Sequence, residues 1–239
     1  MVTPGRPATI AVLGAGGRLG QHVVTEALAR GHTVRAVIHR TNPLPVHPRL
    51  QIELADVRCP GKVRAALSNA DLVVSCLSSA AASPPDIQTV GARNLVITME
   101  ALGLARLVSV TGSGARMPGE TLTGNHRIKR QQMLNGAPHL LTDGDEHLAT
   151  IAASDLTWTV IRVPLMTQRH LPTRYTIQQD APDPASTATY RDAAGVMLDL
   201  ATDDKPAWTR TAPFVTSAEP PQSEDRPLPP RWAAHPRGR

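Results

Sequence analysis

The residues of this chain best suited to chemistry stand near its start. Gly14, Gly17 and Gly20 recur every third residue, directly after the apolar run Thr9-Ile10-Ala11-Val12-Leu13 and ahead of a helical pattern. A glycine turn between strand and helix lets backbone approach a pyrophosphate, and the helix N-terminus offers free N–H groups and partial positive charge. Gly14 suits the tight turn, Gly17 the approach to phosphate and Gly20 the packing of helix on strand. Gly16 and Leu19 complete the loop, and Arg18 adds a guanidinium to it. After the next strand an NAD-type site needs a carboxylate to accept from the ribose 2′-hydroxyl. His39-Arg40 occupies that place instead. A guanidinium matches a 2′-phosphate, so Arg18, His39 and Arg40 point to NADP(H) as cofactor. The plainer alternatives are a glycine turn that binds nothing and arginines that are only solvated.

Such a loop works only when a sheet holds it. Strand patterns over 9–13, 33–38, 50–54, 71–75, 107–111 and 158–163 are interleaved with helical patterns over 63–67, 86–102 and 145–153. This alternation of near-continuous apolar strands with helices predicts a Rossmann-type, doubly wound α/β fold. Its sheet should be mainly parallel, with helices on both faces and right-handed crossovers. Ligands then lie at the C-terminal ends of the strands. Past Val163 the pattern loosens, with a strand expected over 174–177, a helix over 192–201 and a closing strand over 212–215. One domain is expected over 1–218, with a small C-terminal substrate-side extension and a substrate region drawn from 112–142 and 164–190. Residues 219–239 carry six of the 22 prolines and no apolar period, which predicts a disordered Pro/Arg-rich tail.

Composition narrows the partners. With 3% aromatic residues the core must be aliphatic, and few rings remain to stack nucleobases. The net charge of +5 comes from scattered arginines rather than a basic patch, which favours an anionic cofactor and a small-molecule substrate over nucleic acid. Cys59 and Cys76 lack metal-ligand spacing, so no metal site is expected. No apolar run approaches a membrane span, and Met1–Pro7 lacks a signal-peptide layout, so the expectation is a cytoplasmic protein without a membrane partner. Monomer and homodimer both remain open.

Within this frame five landmarks between Thr9 and Thr216 resemble the atypical short-chain dehydrogenase/reductases, in their NAD(P)H-binding, NmrA-like branch. They are the glycine loop, Val34-Arg35-Ala36-Val37-Ile38-His39-Arg40, Ala55-Asp56-Val57, the run Ser154 to Pro164 containing Trp158-Thr159-Val160-Ile161-Arg162-Val163-Pro164, and Asp192 to Leu198. The resemblance implies that Asp56 accepts from the adenine amino group with Val57 against the ring. It also implies that the loop after Pro164 lies over the nicotinamide end. Leu77 and Ser78, within Ser75–Ser79, then border the cofactor ribose or form a plain loop of small residues.

The resemblance also exposes a gap. The main branch of these enzymes uses a Tyr-x-x-x-Lys pair ahead of the sixth strand, whereas Tyr175 and Tyr190 both follow it. Lys129 has Asn125 four residues upstream, and the family's Asp-Lys-Glu element reads Asp143-Gly144-Asp145. Thr111, also counted among the cofactor contacts together with Pro164, and Ser113 remain as hydrogen-bond donors to a developing oxyanion, while His126 or His147 remains as a proton source. Surface histidines are the bland alternative. The glycines and polar residues of 112–142 suggest a lid or a mobile surface loop. The favoured expectation is an NADP(H)-dependent oxidoreductase reducing a carbonyl, quinone or conjugated ketone of a small hydrophobic metabolite, as in tailoring steps of secondary metabolism. The alternatives are a redox-neutral isomerase, cyclase or lyase, and a non-catalytic NADP(H) sensor of the NmrA-like kind.

Overall fold

A computed structural model describes residues 7–79, 83–168, 174–203 and 207–218. The elements run β1 (Thr9–Leu13), α1 (Arg18–Ala29), β2 (Thr33–Ile38), β3 (Leu50–Leu54), α2 (Pro60–Leu67), β4 (Leu72–Ser75), α3 (Ile87–Leu102) and β5 (Arg106–Gly112). They continue with α4 (Gly124–Gly136), α5 (Pro138–Ala152), β6 (Thr157–Val163), β7 (Leu165–Thr167), β8 (Arg174–Gln178), β9 (Thr187–Thr189), α6 (Tyr190–Thr202) and β10 (Phe214–Ala218).

The main sheet has eight strands in the order β3-β2-β1-β4-β5-β6-β10-β8. All neighbours pair in parallel except β10 and β8, which are antiparallel. This is the Rossmann-like α/β fold expected from the alternation. The strand order reverses between β1 and β4, which opens a crevice beyond Leu13 and Ser75, partners in register.

Two aliphatic layers sandwich the sheet. On one face α1 and α6 bury Val23, Val24, Ala27, Val196, Met197 and Leu200 against Ile10, Val12, Val108 and Val110. On the other, α2, α3 and α5 bury Val63, Leu95, Met99, Leu148 and Ile151 against Ala11, Leu13, Val73 and Leu107. Alternate residues of each strand serve opposite layers, as the period-two geometry of a strand requires. Ser109 and Thr111 therefore face α5, on the side to which Leu107 belongs.

The second half departs from expectation at three places. The stretch 112–142 is not an irregular lid: α4 and the first turns of α5 occupy most of it. Thr123 caps α4 by accepting from the His126 N–H at 3.3 Å, and Pro138 stands in the first turn of α5, where a missing N–H costs nothing. The closing strand begins at Phe214 and pairs with β8, so β8 forms the sheet edge. β7 and β9 form a separate two-stranded parallel sheet that the sequence reading missed, because three-residue strands carry too short a pattern. The tail expected over 219–239 lies outside the described residues.

Candidate functional site

The crevice is built first by close approach of backbone to backbone. Gly14 has φ +69°, and a Cβ on it would stand 2.9 Å from the Cys76 carbonyl oxygen. A Cβ on Gly20 would reach 2.2 Å from the Gly14 carbonyl oxygen. Only glycine lets the turn come so close to the chain leaving β4, and α1 so close to the turn. Gly17 donates to the Gly14 carbonyl at 3.0 Å and occupies the N-cap of α1, with no side-chain cap. The first N–H groups of α1, from Arg18 onward, thus lack an intrahelical acceptor and face the crevice mouth. A Cβ-free cradle with spare backbone donors fits a pyrophosphate, so these residues can hold a dinucleotide.

At the adenosine end, His39 and Arg40 follow β2 and are exposed. His39 Nε2 lies 3.7 Å from Asp56 Oδ2, and Asp56 Oδ1 accepts from the Arg58 N–H at 2.9 Å. Arg40 has no ion-pair partner among the described residues. The Arg18 guanidinium, also exposed, donates to the Tyr190 hydroxyl at 3.5 Å. Val57 is buried and its carbonyl accepts from Asn94 Nδ2 at 2.7 Å, which ties this loop to α3. Leu77 is a knob in a notch: a Cβ on Gly91 of α3 would stand 2.3 Å from its Cδ1. Ser78 is exposed beside it, and Ser79 is buried.

At the far end of β5, Thr111 and Ser113 are buried, and neither hydroxyl has a hydrogen-bond partner among the described residues. Thr111 packs against α5, where a Cβ on Gly144 would lie 2.9 Å from its Oγ1. Position 144 is where the resemblance expects lysine, so a glycine and a threonine fill that space together. Asn125 and Lys129 point elsewhere: Asn125 Nδ2 donates to the Ala181 carbonyl at 3.5 Å and Lys129 Nζ to the Pro184 carbonyl at 3.2 Å. They fasten α4 to the segment ahead of β9. Tyr175 donates to Asp199 Oδ2 at 2.9 Å, and Tyr190 stacks on His22 with ring centres 6.0 Å apart. Pro164 is buried between β6 and β7.

Both candidate histidines are interior. His147 Nε2 lies 3.1 Å from Ser109 Oγ, and its Nδ1 lies 3.2 Å from the Gln88 carbonyl oxygen. A carbonyl can only accept, so Nδ1 carries the proton and Nε2 accepts from the serine. Burial pushes the pKa of His147 down to about 4, which makes it neutral at physiological pH. His126 Nε2 donates towards the carbonyls of Gly114, at 3.3 Å, and Ala115, at 3.1 Å. Its ring meets Phe214 edge-on, and burial lowers its pKa as well.

Two arginines take part through contacts that no local pattern announces. Arg162 of β6 is 1% exposed, pairs with Glu120 Oε2 at 2.7 Å and lies 3.8 Å over the Phe214 ring. Its Nη1 also donates to the Ala115 carbonyl at 3.2 Å, so the segment after β5 is pinned from β6. Arg130 adds a bond to the Gly114 carbonyl at 2.7 Å while pairing with Asp145 at 2.8 Å. A shallow hollow lined by Glu26, Arg30, Tyr175, Arg191 and Asp199 lies at the other end of α1, a helix length from Arg18, and its Arg30 is already paired with Glu26 and Asp199. Among the described residues no group of three or more His, Cys, Asp or Glu is arranged to hold a metal, and no helix is long and apolar enough to cross a membrane.

Residues 14–204 match the profile of a family described as NAD(P)H-binding. A 3-beta-hydroxysteroid dehydrogenase of Mycolicibacterium neoaurum is 26% identical over 125 residues, covering 47% of this chain and 34% of that protein. The match thus spans about a third of the length of that curated relative. Among solved structures, a short-chain dehydrogenase/reductase of Veillonella parvula in complex with NADP superposes with a TM-score of 0.72 at 16% identity, over 91% of this chain and 96% of that one. An anaerobilin reductase of Escherichia coli O157:H7 gives a TM-score of 0.64 at 18% identity, over 87% and 96%. At these identities the two structures attest the shared fold.

Proposed function

The chain belongs to the NAD(P)H-binding family of atypical short-chain dehydrogenase/reductases, and on that premise we propose that it is an NADP(H)-dependent reductase. Its acceptor would be a carbonyl, quinone or conjugated ketone of a small hydrophobic metabolite. The observation that carries the cofactor choice is the absence of a carboxylate after β2, where exposed Arg40 stands without an ion-pair partner among the described residues and Arg18 opens α1. Both guanidiniums are available to a 2′-phosphate.

A nicotinamide cofactor supplies a hydride for the acceptor carbon. The chain's own part is to hold the cofactor through the glycine loop and the Arg18–Gly20 N–H groups. Asp56 and Val57 would flank the adenine, and Leu77, Ser78 and Pro164 would line the rest of the cofactor's path. Thr111 and Ser113 carry unpartnered hydroxyls that are enclosed at the end of β5, and once uncovered they would supply hydrogen bonds to the acceptor oxygen as negative charge develops there. We place the proton that completes the alcohol with solvent, because His147 is neutral and both its ring nitrogens are engaged, and His126 spends Nε2 on backbone carbonyls. His126 and His147 then serve to hold α4 and α5 against β5.

Stopped-flow and steady-state NADPH oxidation with a panel of ketones, quinones and conjugated enones tests the proposal. Turnover with NADPH preferred over NADH supports it. Substrate conversion without a change in NADPH absorbance would replace it with a redox-neutral reaction on the same fold.

A further inference from the structure

α3 has the wrong cap. Asp86 occupies its N-cap position and is of a type that usually caps, yet its side chain makes no cap hydrogen bond and pairs with Arg58. The orphan N–H groups of the first turn are satisfied from another helix. Asp143 of α5 accepts from the Gln88 N–H at 3.1 Å, the Thr89 N–H at 2.9 Å and Thr89 Oγ1 at 2.7 Å. Its carboxylate also accepts from Ser79 Oγ. Asp143 is 3% exposed, so this carboxylate has exchanged water for four protein donors and sits at the positive end of a 16-residue helix.

The fourth donor gives the arrangement a consequence for binding. Ser79 ends the segment Cys76-Leu77-Ser78-Ser79, which leads from β4 along the crevice. The same segment meets Gly14 through the Cys76 carbonyl and Gly91 through Leu77. It is thus held from three sides: by the glycine turn, by the notch in α3 and by Asp143.

We propose that Asp143 is a positioning residue for the cofactor, which from α5 fixes the 76–79 segment against the glycine loop so that the crevice keeps its width before the cofactor arrives. The proposal rests on the nicotinamide-cofactor reading above. Loss of the tie would let the segment relax, and binding would then have to reorder it. Asp143 stands next to Gly144, which abuts Thr111, so one turn of α5 sets both the cofactor-side segment and the hydroxyl at the end of β5.

The test is calorimetric titration of NADPH and NADH into wild type, Ser79→Ala, Asp143→Asn and the double variant, with melting curves for each. Ser79→Ala keeps the Asp143 cap on α3 and removes the tie to Asp143, together with the longer 3.5 Å bond that Ser79 Oγ accepts from Gln88 Nε2. We expect it to weaken NADPH binding about 3-fold or more, and Asp143→Asn about 5-fold or more. The double variant should be at most slightly weaker than Asp143→Asn alone, because the Ser79–Asp143 tie has been cut twice and only the long Gln88 bond is lost in addition. A purely structural Asp143 would lower the melting temperature and leave the Kd of folded protein unchanged in both single variants. An unchanged Kd in Ser79→Ala overturns the inference even where Asp143→Asn fails to fold. Wild type that binds neither cofactor overturns the cofactor reading, and this inference with it. Tight wild-type binding with unaltered variants overturns this inference alone.

Discussion

Gly144 stands in close contact with Thr111: a Cβ on Gly144 would stand 2.9 Å from Thr111 Oγ1 and 3.0 Å from the Ala115 Cβ. Alanine in a helix interior normally outranks glycine by about 1 kcal/mol. Here the contact opposes that gain, so Gly144→Ala should destabilise by roughly 1–2 kcal/mol. Adding Thr111→Ala should recover part of the loss. Urea unfolding checks both, and a stabilised Gly144→Ala would mean that α5 stands further from β5 than described.

The proposed preference for NADP(H) rests on charge after β2. Arg40→Asp should weaken NADPH binding by about 10-fold or more and leave NADH nearly unaffected, or tightened through the new carboxylate. Calorimetric titration with both cofactors measures it. Equal losses would remove the 2′-phosphate argument.

His147 makes stability depend on pH in a stated direction. Its folded pKa is lowered from 6.5 to about 4 by burial, so between those values the unfolded chain binds the extra proton. Stability is therefore full above pH 6.5 and declines as pH falls towards 4, by up to about 3 kcal/mol from this residue. Burial shifts His126, His22 and His32 in the same direction. Unfolding free energies taken from pH 7.5 down to 4.5 should fall in wild type and fall less in His147→Gln. Parallel curves for the two proteins would show that His147 is not buried in its neutral form.

Arg162 is the most enclosed charge in the site region, and Glu120, whose side chain is 21% exposed, is its ion-pair partner. Glu120→Ala leaves the guanidinium buried with only backbone acceptors and should cost roughly 3 kcal/mol. Arg162→Met removes the charge itself and keeps an apolar contact on Phe214, so it should cost less. Chemical denaturation of the two variants gives the order, and the reverse order would show the pair to be solvated.

Much of this fold is legible locally. Strands such as β1 and β5 announce themselves by apolar runs, and the turn at Gly14 by the one residue type that adopts φ +69° there without strain. The helix over 124–136 was hidden because its only buried residue is His126, which leaves no apolar stripe to find. Candidate site residues on the glycine loop, after β2 and at the end of β5 follow from strand ends, and strand ends follow from pattern.

By itself the sequence determined the order of strands and helices from β1 to β5, the glycine turn that opens the crevice and the lack of a carboxylate after β2, since each depends on residues within a few positions of one another. Only the tertiary structure decided that Asp143 rather than Asp86 caps α3, that His147 is enclosed and neutral, and that Gly144 meets Thr111. Hydrogen bonding, desolvation and close packing act through whichever atoms are adjacent in space. For these residues the adjacent atoms belong to α3, α5 and β5, brought together by the sheet and its crossovers.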